Sequence, residues 1–339
     1  MKFHGIIKYS LFALATLVGL TACRIDEDLS DCGRDYRLDY RVKLQTNVST
    51  AISAELTTHE ETALGTRLME VLADFFAEYA HDVDLSFFEL LPPQGLRHHE
   101  SHILAGNSAS YTLYMPAENY RHLSIANVDG EPMVNHQPDA MTTKLYSLRQ
   151  VDADTVDSHR IGLFTARKDM EVSGDVDQLF DVSLYMANAA MALVIYPNGN
   201  VPEKVEMYLH DLATEFSIND STYIYNESPV VRTHNLPDTG SDLICCYGMG
   251  FPSKSVAASN APHRSSTDET LWRLVVNVTM SDGNITRTVM EMPTPLRAGS
   301  LEIIKVHLQP NGELVPNRSE IGTSVELDWS QGGEYNPTV

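Results

Sequence analysis

LWRLVVNVTM-SDGN-ITRTVMEM, residues 271–292, reads as a hairpin. Leu271–Met280 and Ile285–Met292 are rich in Val, Ile and Thr, residues that fit a pleated, half-buried surface. Between them Ser281-Asp282-Gly283-Asn284 supplies turn chemistry, because glycine and asparagine tolerate the left-handed backbone that a tight hairpin needs. The same reading extends outward. Downstream, Leu301–Leu308 and Val325–Trp329 are strands; upstream, Val182–Tyr196 and Val205–Leu209 are strands. Ser217–Ser266 is polar, with proline, serine and glycine, and is expected to hold loops and one or two strands. Many short strands separated by turns describe a β-sandwich chain and not a βαβ fold.

The first half adds one helix to this pattern. Tyr36, Leu38, Tyr40, Val42 and Leu44 alternate with Arg37, Asp39, Arg41 and Lys43, the period of a strand with one face in water. Thr58 with Glu61 three residues on forms a capping box. Leu64, Leu68, Val71, Leu72, Phe75 and Tyr79 then recur at helical spacing, a stripe that docks on a sheet. Val83–Leu90 is a strand stopped by Pro92-Pro93-Gln94-Gly95. Tyr111–Met115 and His122–Asn127 flank the turn Pro116–Asn119, and Asp129-Gly130 is a further turn. Val134–Ser147 gives no single reading. Gln150–Asp181 is Asp-rich and reads as edge strands and loop, with a domain boundary near Gly174–Leu179.

The N-terminus carries the sharpest signal. Lys2 and Lys8 precede an apolar run, Leu11–Leu20, too short to span a membrane comfortably but of secretory length. It ends in Leu20-Thr21-Ala22-Cys23, a lipobox in form, with the Cys23 thiol placed to accept diacylglycerol. Several acyl chains on one cysteine anchor a protein stably where one would not. Arg24-Ile25-Asp26-Glu27-Asp28 follows, an acidic cluster at the position of a lipoprotein surface-export signal. The net charge of −22 over 339 residues repels phosphate backbones, so no nucleic-acid partner is expected. Once Cys23 is set aside, Cys32, Cys245 and Cys246 are an odd number with two adjacent, which is no disulfide framework. Buried free thiols are expected at Cys245 and Cys246.

Catalytic patterns are scarce. His98-His99-Glu100-Ser101-His102 follows a Pro-Pro-Gln-Gly turn and lacks the helical spacing of a zinc site, so it reads as a surface loop. Asp152-Ala153-Asp154 and Asp175-Val176-Asp177 lack the glycine and distal glutamate of a calcium loop. Nothing singles out a carboxylate pair among 46 acidic residues. There is no nucleophile elbow, phosphate loop or dinucleotide fingerprint. The expectation is no enzyme, no cofactor and no metal.

Several short motifs together resemble the fimbrial anchor lipoproteins of type V pili (FimB-type anchoring subunits). Asp28-Leu29-Ser30-Asp31-Cys32 close behind Cys23 resembles their start. Val83–Phe88 is similar to an early core strand, and Leu113–Tyr120 to a strand and turn. Leu296–Leu301 and Val325–Trp329 are similar to closing strands. The chain departs from the pattern at Glu118-Asn119, where the family's turn carries glycine. The resemblance implies an all-β fold of two transthyretin-like β-sandwich domains in tandem, with one helix inserted in the first. On that reading residues 1–22 are a removed signal peptide, 23–34 a lipidated tether, 35–176 the N-terminal domain and 177–339 the C-terminal domain. It also implies a surface-facing, outer-membrane lipoprotein that anchors a fimbrial shaft by β-strand complementation. Its partners would be shaft subunits and, through acylated Cys23, outer-membrane lipid. Val325, Leu327 and Trp329 are the strand-exchange candidates, and Gly332-Gly333 a flexible continuation. The alternative is a surface glycan-binding lipoprotein of a nutrient-uptake system. Trp272 and Trp329, both in apolar strand contexts, argue against an exposed Trp platform.

Overall fold

A computed structural model describes residues 35–45, 52, 55–73, 75, 82–91, 95–103, 110–129, 134–135, 141–142, 144–147, 155–174, 178–225, 230–254, 271–318 and 321–328. In chain order the elements begin with strand β1 (Asp35–Gln45) and helix α1 (His59–Val71). Then come β2 (Asp82–Glu89), β3 (Leu96–Ile103), β4 (Ser110–Pro116), β5 (Asn119–Ala126), β6 (Val134–Asn135), β7 (Lys144–Ser147), β8 (Thr155–Asp157), β9 (Phe164–Glu171) and β10 (Gln178–Met186). The second half holds β11 (Ala189–Tyr196), β12 (Pro202–His210), β13 (Glu215–Ser217), β14 (Thr222–Ile224), β15 (Val230–Arg232), β16 (His234–Asn235) and β17 (Ile244–Gly250). It closes with β18 (Trp272–Met280), β19 (Ile285–Met292), β20 (Leu301–Leu308), β21 (Leu314–Pro316) and β22 (Gly322–Asp328). Among the described residues the chain is predominantly β, with α1 and the helical positions Ile52 and Glu55 before it.

The opening hairpin forms as expected: β18 and β19 pair from Trp272–Met292 to Thr279–Ile285. Gly283 takes φ +84° in the turn, the left-handed conformation glycine adopts at no steric cost. Four sheets result. A seven-stranded sheet runs β3-β2-β5-β9-β10-β1-β4, and a six-stranded one β22-β19-β18-β12-β15-β8. A five-stranded sheet runs β16-β17-β11-β20-β21, and a four-stranded one β14-β13-β7-β6.

Two large cores hold these layers. In the first, Leu38, Leu113 and Leu184 from the β10-β1-β4 end meet Val83, Phe87 and Phe164 from the opposite end of the same sheet. Leu64 and Leu68 of α1 and Leu72 at its C-cap complete that core against Ala190, Ala192 and Val194 of β11. The other face of β11, Met191, Leu193 and Ile195, packs into the second core with Trp272, Leu274 and Val276 of β18. With both faces covered, β11 reads Ala-Ala-Met-Ala-Leu-Val-Ile without alternation.

The capping box is present: Thr58 accepts from the Glu61 amide, and the Glu61 carboxylate accepts from the Thr58 amide at 2.8 Å. The helical stripe is shorter than its spacing suggests. Leu64, Leu68, Leu72 and Phe75 are buried, Val71 is exposed, and Tyr79 lies outside the described residues. Four other expectations need correction. Val182–Tyr196 is two strands, broken where buried Asn188 binds the Leu163 amide and the Ile161 carbonyl and carries the chain from one sheet to the next. His98–His102 lies in β3, drawn into the ladder opposite Phe87 to Val83 of β2. Between 217 and 266 the polar composition conceals β14, β15, β16 and the buried β17. Within Gln150–Asp181, β9 lies inside the sheet, between β5 and β10. The division expected between 176 and 177 lies outside the described residues.

Candidate strand-exchange edge

β22 is the outermost strand of the six-stranded sheet and pairs with β19 alone, from Glu291–Gly322 to Ile285–Asp328. The register sets Val325 opposite Thr288 and Leu327 opposite Thr286. Both threonines are buried and lie opposite Val276 and Val278, residues of the second core. Their hydroxyls are satisfied from a different element. Thr286 Oγ1 donates to the Asn311 carbonyl at 2.6 Å, and the Leu314 amide donates to Thr288 Oγ1 at 3.3 Å. Gly312, at φ +85°, lets the turn between β20 and β21 come this close, since an added Cβ would lie 2.8 Å from Thr286 Oγ1.

β19 is therefore held by β18 on one side and by that turn across its face, in addition to its ladder with β22. Removing β22 would open one ladder and leave its template standing. That is the requirement for exchanging a strand, since an edge offers a row of main-chain donors and acceptors to any segment that matches it. Trp329 lies outside the described residues, as do Cys23, Asp26, Glu27 and Asp28.

A second arrangement ties the halves of the chain. Glu61 Oε1 accepts from Lys305 Nζ of β20 at 2.7 Å and from the Tyr196 hydroxyl of β11. Burial alone would raise the Glu61 carboxyl, but the bonds from Lys305, Tyr196 and Thr58 hold it down at about 2. The helix cap is thus also the helix's attachment to the five-stranded sheet, a role no local pattern announces.

Burial governs several other titratable groups. Cys245 and Cys246 are buried free thiols; burial pushes Cys246 up to about 12 and Cys245 upward too, so neither is a ready nucleophile. Burial pushes His122 and His159 down to about 4. Among the described residues no three His, Cys, Asp or Glu side chains converge on a metal position, and no helix is long and apolar enough to cross a membrane. His99 instead approaches Asp84 at 3.9 Å. Asp152, Asp154, Asp175 and Asp177 lie outside the described residues.

No protein-family model matches the sequence, and no curated protein matches it significantly. Solved structures do share the fold. A "putative adhesin" from Bacteroides ovatus is similar at a TM-score of 0.51 and 12% identity, over 91% of this chain and 98% of that one. One of the "putative polysaccharide binding proteins" from Bacteroides thetaiotaomicron is similar at 0.50 and 12%, over 85% of this chain and 97% of that one. The fimbrial anchor protein Mfa2 from Porphyromonas gingivalis also matches, at 0.47 and 11%, over 86% of this chain and 98% of that one.

Proposed function

We propose that this protein is a non-enzymatic surface lipoprotein that anchors or assembles a fimbrial shaft at the outer membrane by β-strand complementation. The observation that carries this is the terminal edge strand β22, bound by one ladder to a template that other elements hold in place. The lipobox at Cys23, the acidic Asp26-Glu27-Asp28 and the adhesin-type fold support the same reading. In this reading the chain is two tandem transthyretin-like sandwiches, residues 23–34 are the lipidated tether, and Val325, Leu327 and Trp329 belong to the exchanging segment. The partners are shaft subunits and outer-membrane lipid.

A gentle-detergent pull-down of the lipidated protein from its native cells, run without boiling, tests the proposal. A heat-sensitive ladder of β-rich subunits is expected, lost with Cys23→Ala. A single monomeric band, or co-purification with an outer-membrane transporter, would favour the glycan-binding alternative instead. Two exposed tyrosines, Tyr114 and Tyr185, keep that alternative physical, because ring faces stack on sugars. Trp272 offers no such platform: it is fully buried, with Nε1 donating to the Thr294 carbonyl at 2.8 Å.

A further inference from the structure

β9 and β10 are consecutive strands of one sheet, yet their ladder closes only at Thr165–Tyr185 and Phe164–Met186. Continued at that register it would set Arg167 against Ser183 and Asp169 against Asp181, and neither pair forms. The strands diverge towards their connecting segment, although Phe164 and Met170 on one strand and Val182 and Leu184 on the other all enter the first core. A cavity of about 570 Å³ occupies the gap, lined by both strands, by Phe216 and Tyr223 of the small sheet and by Ile218 in the turn between them. One inserted strand needs its two neighbours about two spacings of 4.8 Å apart.

Lys168 marks this gap. Its neighbours on the same side of β9, Ala166 and Met170, are buried, but Lys168 is exposed. Its Nζ crosses to the Asp181 main-chain carbonyl of β10 at 3.2 Å, standing where a ladder bond would be. A charge on the inward side of an edge strand discourages casual pairing. A segment entering the gap must displace that amine and offer it another acceptor, so the fitting occupant is an acidic strand. Exposed Arg167 beside it adds to the preference.

We infer that the gap between β9 and β10 is a strand-binding site for this chain's own tether, residues 25–31. That segment, Ile25-Asp26-Glu27-Asp28-Leu29-Ser30-Asp31, is acidic, and it ends close by. β1 is parallel to β10 with Leu38 opposite Gln178, so Asp35 lies beside the entrance of β10, where the gap is widest. Crossing one strand and turning takes about three residues at 3.3 Å each, and the rest suffices to line six residues of β9. The strand would run antiparallel to β10, and Asp26 or Asp28 would take over the Lys168 amine. Docked in this way, the tether would hold the lipid-bearing end against the folded body. This site does not depend on strand exchange at β22, and its readout is separate.

The test compares amide hydrogen exchange in a chain beginning at residue 24, which lacks only the lipid-bearing cysteine, with the chain beginning at residue 34. Amides of residues 166–171 and 179–184 should exchange at least about tenfold faster in the shorter chain, as expected when a ladder is lost locally. Exchange in Trp272–Met292 should be unchanged, which controls for folding. A peptide of residues 24–33 should restore protection. The Asp26→Lys, Asp28→Lys double variant, with tether length intact, should behave like the deletion. Equal exchange in the two chains, fast or slow, overturns the inference. So does protection that appears only when a second subunit is added.

Discussion

The β18–β19 and β9–β10 hairpins have opposite fates. In the first, a four-residue turn with Gly283 at positive φ starts a ladder that runs from Thr279–Ile285 to Trp272–Met292. In the second, the strands touch only at the end farthest from their connection. The difference lies in what each strand must bury. β18 and β19 send Trp272, Val276 and Met290 into one core from one side, so pairing and burial agree. β9 and β10 also send apolar residues into one core, but Arg167, Lys168 and Asp169 of β9 stay exposed, and the ladder stops beyond Thr165–Tyr185. A hairpin is completed when tertiary packing permits it, and adjacency in sequence is not enough.

The hardest blow to the closed hairpin is Trp272→Ala. It empties a fully buried site and orphans the Thr294 carbonyl, and should cost about 4 kcal/mol, read as a lower denaturant midpoint. Acid should strike the other region first. Buried His122 stacks on Phe87 beside β9, and His159 is as buried; both are held near 4 against an ordinary 6.5. Their folded pKa values are depressed, so the unfolded chain takes up protons first as pH falls below 6.5. Stability is lost from there down to about 4, by up to about 3 kcal/mol for each ring. His122→Phe should flatten that slope in a pH-dependent denaturation series. Glu61, held below its ordinary value, stabilises the fold above 4.5, and that share is lost only as pH falls from 4.5 to about 2. Gly283→Ala places a Cβ at φ +84° with open space around it, so the cost is backbone strain alone, about 1 kcal/mol. Smallest of all is Lys168→Met. It removes one exposed bond to the Asp181 carbonyl and should change global stability by less than about 0.5 kcal/mol while raising self-association in light scattering. A large loss there would mean that the lysine closes the sheet instead of guarding its gap.

These contrasts also explain how much the sequence disclosed. The β18–β19 hairpin, the alternation over Tyr36–Leu44 and the Thr58–Glu61 box are local designs, legible because each is complete within a few residues. Residues that answer to distant partners were not. Asn188 reads as one polar residue in an apolar run, yet its amide bonds make the break between β10 and β11. His98–His102 reads as a loop because its strand character comes from β2 alone. Burial of Cys245 and Cys246 was legible from their apolar neighbours, but the pairing of β17 with β11, nearly fifty residues away, was not. Of the strand-exchange candidates, the edge position of Val325 and Leu327 follows from sheet order, which periodicity does not encode.

The position of β1 has a mechanical consequence. It lies between two neighbours, parallel to β10 from Leu38 to Gln45 and antiparallel to β4 from Asp35 to Arg41. Tension applied at Asp35 along the strand axis therefore acts in shear. Both ladders must slip together, whereas a strand peeled from the side loses its bonds one at a time. A load entering through residue 35 meets the seven-stranded sheet in its most resistant direction. In single-molecule pulling, extraction from that end should require more force than peeling β22 from the edge of the six-stranded sheet.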